Sequence, residues 1–499
     1  SRRLEVKPYG ISGFRTDLSA DSRLSNDGYT DTGLDIKYGI TENLTADFTY
    51  NTDFAQVEVD EEQVNLTRFS LFFPEKREFF VESQGLFNFG AGGIGSGGGR
   101  GRNRSGAPTL FYSRRIGLEN GVPVPILGGG RVTGKVGSFD VGVVSIQTGD
   151  APSVGAESTN FSVIRLRRDI LSRSNIGVLL ENRSRSLSAT GPNRAWGVDG
   201  SFGLTDDVSL LAYYAKTETD GLDGLSASYR GQFRYNADEW GGNIDHLVVG
   251  NDFNPELGFV RRKDFRQTSL SGRVSPRTNA ISRVRKINFQ SNLGFLENEQ
   301  GRFLESRTWS GQFGIDFENS DRFNATYSDN YERLVEDERI SRATIPAGRY
   351  YFADVRLSYT LGPQRSYSGS LSLRRGDYYG GTVTSVGMSR GRLEVTPQLS
   401  VAPSISFNWI DLPQGQFNQH VAATQVTYTL TPRAYLSTLV QYNSGSDRFS
   451  GNFRFRWEWA PGSELFLVYT EERDTDVLDR WSELRNRGFV IKVTRLFRI

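Results

Sequence analysis

The chain has 499 residues, with 59 Lys plus Arg against 58 Asp plus Glu and a formal net charge of +1. That balance offers no general nucleic-acid surface, and the absence of cysteine removes disulfide frameworks and thiolate metal sites alike. The two histidines, His246 and His420, lie far apart in sequence, which weakens any His-based catalytic or metal centre.

Glycine (55) and aromatic residues (Phe 33, Tyr 21, Trp 7) are abundant, and Met occurs once. This favours β-structure with many turns. No stretch approaches the roughly 18 apolar residues of a membrane helix, and mean hydropathy is negative. Neither fact excludes a membrane, because a β-barrel hides its apolar face in alternation. No signal peptide opens the chain at Ser1, so it is expected to be a processed or truncated form.

Strand-like sequence begins by Leu4. The first clear turn lies in "YGITENLTADFTYN" (Tyr38–Asn51), and its grammar returns in "FGLTDDVSLLAYYA", "LEVTPQLSVAPSISFN" and "YTLTPRAYLSTLVQYN". An aliphatic residue and Thr end a strand, two polar or Pro residues turn the chain, and a new alternating run starts. Longer polar connections, such as Glu332–Arg349 and Glu471–Arg487, alternate with these tight turns. Short turns at one end and long loops at the other are the layout of an outer-membrane barrel.

Between residues 55 and 125 the alternation fails. The stretch "LFFPEKREFF" (Leu71–Phe80) sets four phenylalanines around the quartet Glu75, Lys76, Arg77 and Glu78. Pro74 is expected to start a short helix with Glu75 near its positive end. A large barrel with a polar, water-filled lumen accommodates such a segment. The expectation is that it folds into the lumen as a plug or constriction built on Phe72, Phe73, Glu75, Lys76, Arg77, Glu78, Phe79, Phe80, Arg114 and Arg115. Its aromatics would cluster, and its charges would pair with lumen Arg, Asp or Glu. The glycine run from Gly90 to Gly106 lacks the strand-then-helix context and Lys-Ser/Thr ending of a phosphate loop, so no nucleotide site is expected.

Beyond the insertion, alternation is plainest in "RFSGNFRFRWEW" (Arg448–Trp459). Phe449, Gly451, Phe453, Phe455, Trp457 and Trp459 oppose Arg448, Ser450, Asn452, Arg454, Arg456 and Glu458. "SYSGSLSLR" (Ser366–Arg374) and "ATQVTYTL" (Ala423–Leu430) repeat the contrast, with Ser, Thr, Gln and Arg on the second face. That face suits a wet interior. Many candidate strands run a dozen residues, where about 9 to 11 span a bilayer and about 5 to 6 are usual in soluble sheets. The fold expected is all-β: one large antiparallel transmembrane barrel of roughly 24 to 26 strands, carrying an inserted lumen segment. At the end, Phe489, Ile491, Val493, Phe497 and Ile499 share a face, interrupted by Arg495. This is similar to the C-terminal strand signal of barrel assembly, with Ile499 where a terminal aromatic is usual.

Three longer stretches carry a resemblance: "YNTDFAQVEVDEEQVNLTRFSLFFPEKREFF" (Tyr50–Phe80), "LFYSRRIG" (Leu110–Gly117) and "NDFNPELGFVRRKDF" (Asn251–Phe265). With the opening "RRLEVKPY", they resemble the barrel domain of unknown function found downstream of a carbohydrate-binding family 9-like module in bacterial outer-membrane proteins. The resemblance covers essentially the whole chain and implies an outer-membrane location and a barrel fold, but no reaction. The family-9-like module is missing here, so sugar binding does not carry over.

Other chemistries find little support. Asp245 and His246 are strand neighbours and point to opposite faces, and both histidines read as ordinary lumen or loop residues. The acidic groups Asp60–Glu61–Glu62, Asp206–Asp207 and Glu471–Glu472 fall where solvated turns are expected. "DTDVLD" (Asp474–Asp479) lacks EF-hand spacing. The pairs Arg114–Arg115, Arg167–Arg168, Arg261–Arg262 and Arg374–Arg375 belong near strand ends or in the irregular region, since a mid-membrane lipid-facing Arg costs about 2–4 kcal/mol. No catalytic residue, cofactor or metal is expected. Lipid is the implied partner, other outer-membrane or surface proteins stay open, and nucleic acid is excluded. Two functions compete: a channel or transporter for small polar solutes, and a non-conducting scaffold or anchor in a surface, secretion or motility assembly. An energy-coupled receptor with a plug before its first strand fits poorly, because here strands precede the insertion.

Overall fold

The computed structural model describes residues 4–18, 24–52, 60–90, 106–119, 122–278, 280–476 and 483–499. Twenty-four antiparallel strands, each hydrogen-bonded to its sequence neighbour, form one closed barrel. Closure comes from the first strand, Leu4–Asp17, which pairs with Leu24–Gly39 on one side and the last strand, Glu483–Thr494, on the other. After a break at Arg495, Phe497 and Arg498 rejoin Val6 and Glu5 in the same register. The break falls opposite Pro8, which has no N–H to give; its carbonyl accepts from the Arg495 N–H.

Successive strands reverse direction, so both termini and the Thr-bearing turns share one end. The repeated turn grammar has a physical basis. In each turn the Thr hydroxyl accepts a backbone N–H two residues on, at 3.2–3.3 Å: Asn43 to Thr41, Asp207 to Thr205, Gln398 to Thr396 and Arg433 to Thr431. That local bond makes the turn without a longer loop.

The period-two pattern becomes two faces. Phe453, Trp457 and Trp459 stand exposed on the outside of strand Arg448–Ala460, while Arg456 faces inward and pairs with Glu464 of the next strand. Exposed outer residues near mid-strand include the aliphatics Ile164, Leu166, Val178, Leu180, Leu371 and Leu373, and many near strand ends are aromatic, as in Tyr38, Phe139, Trp240, Tyr367 and Tyr442. An apolar band flanked by aromatics is the outer surface of a bilayer-spanning barrel. Leu371→Arg puts a charge near the middle of strand Tyr367–Tyr378. We expect it to cost the folded barrel about 2–4 kcal/mol in lipid, read from urea-dependent folding into vesicles.

The arginine pairs follow this geometry. Arg167 pairs with Asp140 while its neighbour Arg168 lies over the Phe139 ring, close to the strand end. Arg374 makes a two-pronged contact with Asp354, and Arg375 is exposed near the end of its strand. Both histidines depart from expectation. His246 and His420 sit on the outer face, His246 beside Thr268 at 2.9 Å and His420 between the rings of Phe407 and Trp409. The parity of strands Trp240–Val249 and Gly415–Thr431 decides this, since their neighbours Leu247, Val421 and Ala423 are the buried, inward residues.

Candidate functional site

The third strand, Leu44–Tyr50, pairs directly with the fourth, Ile126–Val136, although the chain between them is long. Asn51 makes the exit. It holds a left-handed φ of 53°, which Asn tolerates. Its N–H binds the Leu127 carbonyl, and its amide donates to the Thr32 carbonyl. Exit and return are thus hydrogen-bonded neighbours, at the end of the barrel opposite both termini.

Helix begins later than Pro74 suggests. The single turn is Glu78–Val81, followed by a 3-10 turn at Gln84–Phe87. Glu75 does not sit at a helix N-terminus; its carboxylate accepts the N–H groups of Lys76 and Arg77 and the Arg77 Nε at 2.8 Å. This folds the quartet back on itself. Arg77 is buried; its remaining N–H groups reach the carbonyls of Ser113 and Ile116 at 2.6 Å, and Ser113 donates to Glu75. Glu75 and Arg77 therefore pair with each other rather than with the wall. Lys76 joins Asp60 at 3.5 Å, and Arg114 clamps the same Asp60 and the Pro74 carbonyl. Glu78 reaches Lys7 of the first strand at 3.6 Å.

The aromatics divide similarly. Phe72 packs on Tyr112 and Phe259, and the Phe73 carbonyl accepts a hydrogen bond from the Tyr112 hydroxyl. Phe79 and Phe80 meet edge to face, with Arg131 over the first and Arg77 over the second. Arg131, on the fourth strand, also binds Asp47, Glu82 and the Phe79 carbonyl, while Lys37 pairs with Glu82 and Asp47. Burial raises the affinity of Glu75 for its proton, but Arg77 and Ser113 outweigh it and hold the carboxyl below its ordinary 4.5. Glu82 is depressed too, with Lys37 and Arg131 overcoming burial. A depressed folded value means both carboxylates stabilise fully above the ordinary range and lose that contribution as pH falls through the folded value. The insertion's amide protection is therefore expected to be flat from pH 8 to about 5 and to drop below about 4.5, measured by hydrogen exchange at stepped pH.

The three stretches that carry the family resemblance converge here. Phe253 and Leu257 of the connection 250–264 are buried with Phe80, Leu110, Phe111 and Ile116 in one apolar cluster, and Phe259 is buried against Phe72 and Tyr112. Thr109 and Phe259 exchange backbone hydrogen bonds, and the Tyr112 N–H binds the Leu257 carbonyl. A Cβ on Gly258 would lie 2.3–2.4 Å from the Thr109 and Leu110 carbonyl oxygens, so only glycine allows this approach. Arg115 binds the Gly258 carbonyl. Phe87 and Phe89 reach the wall where Gly142 and Gly197 leave room for their rings.

The segment also crosses to far strands. Arg68 is held by Glu305, Glu332 and Glu338, with Arg261 and Arg262 over the neighbouring Phe69 ring. Glu338 belongs to a short hairpin, Glu338–Ile340 with Ala343–Ile345, inside the connection between strands Arg322–Leu334 and Gly348–Leu361. Leu66 packs against the second apolar cluster, which joins Ile340 and Ile345 to Tyr378, Tyr379 and Ile410. The Leu66 carbonyl accepts from Tyr378, and Asp60 and Glu62 reach Gln441 and Asn443. The sequence reading missed Arg68, Glu305, Glu332, the hairpin and the 250–264 loop. The available signal was apolar residues, Phe253, Leu257, Ile340 and Ile345, in connections expected to be polar. Among the described residues, no group of three or more His, Cys, Asp or Glu could hold a metal ion.

A closed, single-chain, even-stranded antiparallel barrel with an apolar outer band defines a bacterial outer-membrane β-barrel embedded in lipid. The comparisons with known proteins add the following. The family described as "Domain of unknown function (DUF5916)" matches residues 1–123. No curated protein sequence matches. Among solved structures, a ferric enterobactin receptor mutant of Pseudomonas aeruginosa is 10% identical, with 100% of this chain and 81% of that one covered and a TM-score of 0.46. The siderophore receptor PiuA of Acinetobacter baumannii is 8% identical, covering 98% and 82%, at 0.44. The protein OccAB2 of Acinetobacter baumannii is 10% identical, covering 99% and 98%, at 0.30.

Proposed function

We propose that this chain is an outer-membrane channel or transporter for small polar solutes, with residues 55–125 folded into the lumen as its constriction. The constriction would be built on Phe72, Phe73, Glu75, Lys76, Arg77, Glu78, Phe79, Phe80, Arg114 and Arg115, with Glu75, Arg77 and Phe80 buried and Glu78 and Arg115 exposed. One observation carries the reading. Contacts of the insertion run round the wall from Lys7 and Arg131 to Glu305, Glu332 and Gln441. Contacts with strands so far apart around a closed barrel support a path of the insertion across its inside.

Arg68 is the tie that a gate would release. Arg68→Ala removes hydrogen bonds to charged groups worth roughly 1.5–3 kcal/mol. It also removes a cation shared by three carboxylates, of which Glu305 keeps Arg262. Open probability in planar bilayers is expected to rise on the order of ten- to a hundredfold. An unchanged trace from folded protein would remove Arg68 from the gate.

A second reading has its own support. Ile116, Ile146, Val163, Leu179 and Phe253 are essentially inaccessible, as in a permanent core. A seal of that kind suits a non-conducting scaffold or anchor, and silence from both the intact and Arg68→Ala barrels would favour it.

A further inference from the structure

The lumen wall has two unlike arcs. On strands from Ile126–Val136 to Phe265–Val274, inward side chains are packed away: Val144, Ile146, Val163, Leu179 and Val249 are at most 2% exposed in the apolar cluster with the insertion, and between them Arg131, Arg165 and Arg230 are buried in ion pairs with Asp47, Asp199 and Asp245. On strands from Val284–Asn298 to Ala434–Asn443 the inward face changes character. Trp309, Phe313, Tyr327, Leu371 and Leu373 mark the outside. The opposite parity holds Asn292, Ser310, Gln312, Ser328, Ser372 and Ser404, each half-buried rather than packed away. These side chains bond laterally, as Asn292 does to Ser310 at 3.2 Å, and keep further donors and acceptors for the lumen. The inward charges largely answer each other: Arg374 with Asp354 and Arg322 with Asp316. Arg356 also faces inward and has interactions of its own.

We propose that solutes pass along this second arc, and that the class it suits is uncharged and hydroxyl- or amide-bearing, such as polyols. The inference rests on the channel reading above. A wall of hydroxyls and amides exchanges hydrogen bonds with such a solute almost one for one with water. Its fixed charges are largely paired, which leaves little net charge to prefer an anion or a cation. Small side chains and glycines, Gly294, Gly314 and Gly387 among them, keep the arc recessed.

The test uses a barrel whose insertion is replaced by a short turn, with Arg68→Ala as the second open form should that one not fold. In liposome swelling, a neutral polyol should enter faster than a singly charged solute of equal size. In a KCl gradient, the cation-to-anion permeability ratio should stay near unity. Ser310→Asp with Ser328→Asp should raise that ratio several-fold, because both face the path. A conducting barrel with strong selectivity for either ion, or one indifferent to the two new carboxylates, would overturn the solute class and leave the channel standing. Folded open forms that pass neither ions nor polyol would remove the channel reading, and this inference with it.

Discussion

A barrel in which residues 53–124 are replaced by a short glycine-containing turn is expected to close in the same register and to conduct. Tyr50 and Gly128 are ladder partners, and the Asn51 N–H already binds the Leu127 carbonyl. The replacement therefore spans neighbouring backbone, and loop closure costs little. The consequence inside is large. Barrels of 16–18 strands already hold an aqueous channel, and this one has 24. Conductance should rise on the order of tenfold or more over the intact protein. There is a penalty: Val144, Ile146, Phe161, Val163 and Leu179 lose their cover. Each such side chain costs roughly 1.5–3 kcal/mol when fully exposed. Lower refolding yield is thus part of the expected result, and the folded fraction, isolated by its resistance to unfolding in detergent, is what should be recorded. Conductance equal to the intact protein in that fraction would show that the insertion does not close the lumen.

Much of the fold was legible because a barrel strand repeats one rule. Side chains alternate between lipid and lumen, so Arg448–Trp459 announces its faces without any neighbour. The Thr turns are legible for the same local reason, since the hydroxyl acts within three residues. What escaped is long-range. Arg68 reads as one more surface cation until strands Leu304–Phe317 and Arg322–Leu334 bring Glu305 and Glu332 to it. Glu75 and Arg77 pair with each other, and that depends on Ser113 and Ile116 arriving from the far side of the glycine run. His420 shows the other limit. Its face turns on parity, and a count that slips by one residue exchanges lumen for lipid. The difference between the two arcs is written in the strands, yet it becomes visible only when they are laid in ring order.

The second large effect is expected at Arg77. Arg77→Met keeps an unbranched stem of similar character but removes the guanidinium and every side-chain donor. The Glu75 carboxylate loses its cation, and the carbonyls of Ser113 and Ile116 lose theirs, all in a buried place. Breaking one partner out of a buried pair costs about 3–5 kcal/mol. The barrel ladder does not depend on this knot, so the loss should fall on the insertion. Hydrogen exchange in peptides covering 72–90 and 110–117 should quicken by roughly a hundred to several thousandfold. Strands such as Tyr367–Tyr378 should keep their protection. Adding Glu75→Gln should restore part of the loss, because the uncompensated charge is the larger share of the cost. Acid should mimic the rescue: without its cation the buried Glu75 carboxylate takes up a proton more readily than in the intact protein, and once protonated it no longer needs the cation, so single and double variants should converge as pH falls. If the single variant instead loosened wall and insertion together, the insertion would be part of the barrel's own cooperative unit. A gate built on it could not then move without unfolding the wall.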